Sequence, residues 1–171
     1  MSAHAEAILF SVENVLADAL SLRDASLVVF RRGVLVEFKT QMLEAKLSRC
    51  AEPGHRGWQI GPFDGHHCHL DLDSVIQVCF DAAPSPCQGG HLNYTIWFLA
   101  ARDCGNPYRT DGYFSITLNA PYFENGDPRL DVIEEVHALY ALHRHRPGVL
   151  ANEGFERAAG LLQFGTHDPK G

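Results

Sequence analysis

Apolar residues along this chain recur with two different periods, and the change of period separates its segments. Ile8, Val12, Val15, Leu16 and Ala19 recur at helical spacing, so Ala5 to Leu20 reads as an amphipathic helix. From Ser26 the period falls to that of extended chain. Ser26 to Phe30 and Val34 to Phe38 read as two strands joined by a tight turn at Arg31-Arg32-Gly33. Gln41 to Arg49 reads as a short helix or an irregular crossing, since its apolar residues fit a helix only loosely. Turn signals at Glu52-Pro53-Gly54-His55 and Gly61-Pro62 bracket a short strand, Trp58-Gln59-Ile60.

Three stronger β-runs follow. His67 to Leu72 is expected to continue into Val75 to Phe80, and Leu92 to Leu99 and Gly112 to Asn119 come next. Tyr94, Ile96 and Phe98 share one face of their strand, as do Phe114, Ile116 and Leu118 of theirs, the half-buried pattern of antiparallel sheets. Asp127 and Pro128 suit the start of a long helix. Acids at Asp131, Glu134 and Glu135, bases from His143 to Arg146, and Pro147-Gly148 at its end complete the signature. Its buried stripe is expected at Val132, Val136, Leu139 and Tyr140, with Ile133 flanking. Asn152 caps a last short helix reaching Leu162. The expected fold is α+β: one domain over residues 1–171, with a central antiparallel sheet flanked by N-terminal and C-terminal helices.

Composition narrows the function. The 171 residues suit one domain, and a hydrophobic content of 46% is enough for a full core. A net charge of −7 argues against nucleic acid, which needs a basic face. No apolar run approaches the roughly 20 residues that cross a bilayer. The apolar N-terminal stretch has no basic residues ahead of it and is interrupted by Glu6 and Glu13, so no signal peptide is expected and the expected location is the cytoplasm. The five cysteines form no C-x-x-C pair. Cys87 and Cys104 bracket a strand about 23 Å long, too far for a disulfide unless both loops fold back. All five are read as thiols.

The densest chemistry lies in His66-His67-Cys68-His69-Leu70-Asp71. Alternation on an extended chain places His67, His69, Asp71 and Asp73 on one face and His66, Cys68, Leu70 and Leu72 on the other. Such a row of imidazoles can hold a divalent metal at His67, His69 and Asp71, offer an axial ligand to haem iron, or stand hydrated at a sheet edge. His67-x-His69-x-Asp71 is similar to the start of the H-x-H-x-D-H string of metallo-β-lactamase-type hydrolases, but Leu72 stands where its last His belongs. Alternation also turns His67 and His69 away from the Cys68 sulfur, which disfavours a cysteine nucleophile. Among the other histidines, His91 is expected to reach the central sheet. His137, His143 and His145 are expected on a helix surface or complementing its dipole. Arg102 and Arg109, in the loop between two aromatic-rich strands, could clamp a carboxylate or stand solvated.

The order of these segments resembles the haem-utilisation family of cytosolic haem carriers (HutX/ChuX type, related to each half of HemS-type proteins). The matching stretches are Gly33 to Lys39, Gly65 to Leu72, Val75 to Phe80, Asn93 to Phe98 and Tyr113 to Leu118, within roughly residues 33–142. The resemblance implies an α+β fold, homodimers, and intracellular binding of haem or a related tetrapyrrole for storage or delivery, with haem breakdown as a weaker implication. Within that picture His67 or His69 could be the iron donor, with His91 nearby. Trp97 and Phe114 could wall a slot, and Arg102 or Arg109 could meet a propionate. The chain departs from the pattern in its loop from Asp103 to Arg109, its longer helix from Pro128 and its denser histidine run. The alternatives are a metal-dependent enzyme at His67, His69 and Asp71, with His91 as a further ligand, and a non-catalytic dimeric interaction module. A carrier rather than an enzyme is the expected class.

Overall fold

A computed structural model of the chain describes residues 3–31, 34–43, 47–49, 57–62, 64–100 and 114–164. The first helix, α1 (Ala3–Ala19), buries Leu9, Val12, Val15, Leu16 and Ala19. After it, β1 (Ala25–Arg31) and β2 (Val34–Lys39) pair antiparallel in a register that sets Arg31 opposite Val34. This is the expected hairpin. The segment expected as a short helix or an irregular crossing holds a 3-10 turn at Thr40–Leu43 and β3 (Leu47–Arg49).

The strands form two sheets. β3, β4 (Trp58–Ile60) and β5 (Cys68–Leu70) make a small antiparallel sheet. The larger sheet has the order β2-β1-β8-β7-β6-β9, where β6 is Gln77–Pro84, β7 is Leu92–Leu99, β8 is Phe114–Leu118 and β9 is Val149–Ala151. Its pairs are antiparallel except β6 with β9, which run parallel. That exception follows from connectivity: α2 (Leu130–His143) carries the chain back along the sheet before β9 is laid down.

The expected continuous strand from His67 to Phe80 is broken. β5 ends at Leu70, and a 3-10 turn at Leu72–Ser74 carries the chain into the other sheet. The phase of burial gives the reason. Leu70 and Leu72 keep a period of two, whereas Val75, also buried, is out of phase with them. The Ser74 hydroxyl donates to the Asp71 carboxylate and closes the turn.

One face of the large sheet carries Leu27, Val78, Phe80, Tyr94, Ile96, Phe98, Phe114 and Ile116, all buried in the main core with the helices. The opposite face holds Cys79, Trp97 and Leu99 as a separate buried cluster. α2 buries Val132, Val136 and Leu139 of the expected stripe and the flanking Ile133, while Tyr140 is only partly buried. It begins later than Asp127, however. Arg129 precedes its first turn without a side-chain cap, and Asp127 is instead bonded to Asn125 in the preceding turn.

The last helix, α3 (Glu153–Phe164), is capped as expected. The Phe155 amide donates to Asn152 Oδ1 at 2.8 Å. The Asn152 amide group donates to Asp81, whose other oxygen accepts the Trp97 indole N–H at 3.1 Å. Asn152 thus ties α3 to the sheet as well as capping it. Asn152→Ala should cost about 1–2 kcal/mol, the cap plus the lost Asp81 partner. A lower urea midpoint at unchanged slope is the expected signature; an unchanged midpoint would refute the tie.

Candidate functional site: the histidine turn

The turn from β4 to β5 begins at Gly61, where the backbone takes φ +99°, a conformation that L side chains rarely adopt. The Gly65 amide then donates to the Pro62 carbonyl at 3.4 Å. The chain re-enters the small sheet at Cys68, opposite Ile60. Cys68 and buried Leu70 pack against the core, while His66, His67 and His69 are exposed. The alternation expected for this segment therefore holds from Cys68 to Leu72.

The imidazoles of His67 and His69 lie side by side, with ring centroids 5.3 Å apart and planes at 89°. Nδ1 of His67 is 2.9 Å from the Gly65 carbonyl oxygen. The Asp71 carboxylate accepts the Ser74 hydroxyl. Among the described residues, no group of three or more His, Cys, Asp and Glu side chains is placed to hold a metal ion. The set His67, His69 and Asp71 is thus not assembled as a metal centre. Burial raises the Cys68 thiol to about 11, which keeps it protonated at neutral pH.

The other residues singled out from the sequence are dispersed. His91 lies just ahead of β7, where its ring stacks on Tyr122 at 4.6 Å. That is the Pro84–Leu92 end of the β6–β7 hairpin, whereas β5 leads into the Gln77 end. Eight extended residues separate these ends by about 23 Å. His91 therefore stands apart from His67 and His69.

Trp97 and Phe114 do not form two walls of one slot. Phe114 pairs with Phe98 and stacks on it at 4.6 Å inside the main core. Trp97 pairs with Ser115 and faces the other side of the sheet. Adjacent positions on a strand point to opposite faces, so the one-residue offset in register separates the two rings. Arg102 and Arg109 lie outside the described residues.

Two histidines expected on the α2 surface are covered, His143 fully and His137 in part. His143 is buried and its Nε2 lies 2.8 Å from Asp18 Oδ2, which joins α2 to α1. His137 lies 4.2 Å from the Phe155 ring and 5.8 Å from that of Tyr94. Both of its ring nitrogens are buried without a hydrogen-bond partner, and burial lowers its pKa to about 4. His145 remains exposed. A groove of about 500 Å³ between α1, the 3-10 turn before β6, and β9 was not anticipated. His4, Ile8, Asp73, Ile76 and Leu150 are among the residues lining it. They come from segments far apart in sequence, so no local pattern marks the groove.

The fold is similar to that of ChuX. The crystal structure of ChuX matches with a TM-score of 0.53 and 12% identity, over 81% of this chain and 75% of that chain. No family model and no curated protein matches the sequence. No helix among the described residues is long and apolar enough to cross a membrane.

The exposed His67 imidazole has one nitrogen beside a backbone carbonyl. The slot walls drawn from the sequence do not fit, since Trp97 and Phe114 occupy opposite faces.

Proposed function

We propose that this protein binds haem or a related tetrapyrrole and carries it without transforming it, with the ligand held at the His67–His69 turn. The observation that carries this reading is the exposed imidazole pair of the β4–β5 turn, set in a fold similar to that of ChuX. Imidazole is a common protein donor to haem iron, and exposure at a turn allows an approaching macrocycle to reach it. Homodimer formation and a cytoplasmic location belong to the same proposal. The metal-enzyme alternative would use the same pair with Asp71, but no group of three donors is placed to hold a metal ion among the described residues.

Hemin titration followed through the Soret band tests this. The wild type should bind with about micromolar affinity or better, near −8 kcal/mol. The His67→Ala/His69→Ala double variant should bind more weakly or show a different spectrum. An unrelated acidic protein of similar histidine content is the control, because hemin adheres to apolar surfaces. Wild-type behaviour like that control would exclude the carrier reading. Metal analysis of untagged protein checks the alternative, for which a stoichiometric divalent ion is the expected sign.

A further inference from the structure

We propose that the outer edge of β2 pairs with the same edge of a second copy of this chain, antiparallel about Phe38, so that two six-stranded sheets run on as one. The inference rests on the homodimer of the preceding reading and adds the surface that closes it. It does not depend on haem.

The edge is open and apolar on both sides. β2 stands at the end of the large sheet, and among the described residues it is paired on one side only, with β1. An edge strand presents a row of N–H and C=O groups to any chain that can pair with them, and proteins commonly blunt it with proline or a bulge. β2 holds no proline. Its register with β1 runs without a break from Ser26–Lys39 to Arg31–Val34. Neighbouring residues of a strand face opposite sides of the sheet. Leu35 is 59% exposed and Val36 38%, so both sides of β2 are open at this point. Single exposed apolar side chains need no explanation. Two in succession on an unpaired edge mark a contact surface.

The charges select the partner and the register. Alternate residues turn their N–H and C=O outward, so in a two-fold pairing residues of like parity face each other and the axis passes through one residue. An axis at Glu37 would set it against the partner's Glu37, which is repulsive. An axis at Val36 would set Glu37 against the partner's Leu35 and leave Lys39 beyond the ladder. An axis at Phe38 sets Glu37 opposite the partner's Lys39 and Lys39 opposite the partner's Glu37, two ion pairs on one face. Both side chains are exposed. A second copy thus brings the matching charges with it. The ladder has three pairs, as many as join β3 to β4 and β4 to β5. The same register carries Val36 and Leu35 alongside Thr40 of the partner subunit and Gln41 of the partner subunit, where β2 passes into its 3-10 turn. One pairing therefore covers the exposed apolar residues and joins the charges.

Sedimentation equilibrium of the hemin-free chain reads the association, and charge reversal reads the surface. The wild type should be a dimer at micromolar concentration. Glu37→Lys and Lys39→Glu should each weaken the dimer about tenfold or more, because each turns both attractive pairs into repulsive ones. Mixed in equal amounts, the two variants should dimerise with each other about as well as the wild type does with itself, since every facing pair is again of opposite charge. The double variant Glu37→Lys/Lys39→Glu should recover in the same way. Circular dichroism checks that each variant folds. A monomeric wild type overturns the interface and the homodimer together, and leaves haem binding to its own titration. A dimer that the single reversals do not weaken, or that mixing does not restore, overturns the interface alone.

Discussion

Gly61→Ala should be among the most damaging single-methyl additions to this protein, lowering stability by about 2–4 kcal/mol and displacing His67. Two effects combine at this position. The backbone φ of +99° is strained for any residue with a Cβ. The added methyl would also press into the His66 carbonyl oxygen and lie 3.1 Å from the His67 Cα. These neighbours are backbone, so they cannot swing aside as a flexible side chain would. Relief requires the β4–β5 turn to open, which moves the carbonyl of Gly65 and the imidazole it holds. Gly90→Ala is the matched control. Its φ is +87°, but nothing lies within 4 Å of the position its Cβ would take. It should cost about 1 kcal/mol, from the backbone conformation alone. Urea unfolding of both variants, with the His67 tautomer read by NMR, separates strain from collision. Equal losses in the two variants would refute the argument from the turn.

His137 should make the protein progressively less stable as the pH falls from about 6.5 to about 4. In the unfolded chain its pKa takes the ordinary value of 6.5, and in the folded protein burial lowers it to about 4. Between these values the unfolded chain binds a proton that the folded protein does not. Stability therefore rises with pH across this window, by at most about 1.4 kcal/mol per pH unit, and is fully present above 6.5. The total should be about 2 kcal/mol, below the full linkage value because the ring is only partly buried.

The groups around His137 do not rescue its charge. It contacts the rings of Phe155 and Tyr94, and the Tyr94 hydroxyl is hydrogen-bonded to Tyr122. His137→Phe keeps the ring contacts and removes the titration. At pH 7 it should lie within about 1 kcal/mol of the wild type, since an unpartnered buried polar group is lost. At pH 4.5 it should be the more stable protein, by about 2 kcal/mol. The carboxylates and buried His143 are common to both proteins and cancel in the difference. Parallel stability curves for the two from pH 7 to 4.5 would disprove the assignment.

Sequence alone determined the features that depend on neighbours along the chain. The helical spacing from Ile8 to Ala19 marked α1, and Gly33 between two β-runs marked the β1–β2 hairpin. Asn152 was legible as a cap because a cap acts within one turn of its own helix. The inward Cys68, Leu70 and Leu72 followed from a period of two, as did outward His69, because alternation is a property of a single strand. Tertiary structure decided everything that depends on which surfaces meet. Register separated Trp97 from Phe114, although both lie in aromatic-rich strands. The out-of-phase burial of Val75 broke an expected continuous strand into strands of two sheets. His137 and His143 looked like surface groups of a helix until α3 and α1 covered them. The contact of the His67 ring with the Gly65 carbonyl was also beyond the sequence. It depends on where the Gly65 carbonyl points, and that direction exists only once the turn has closed against the rest of the sheet.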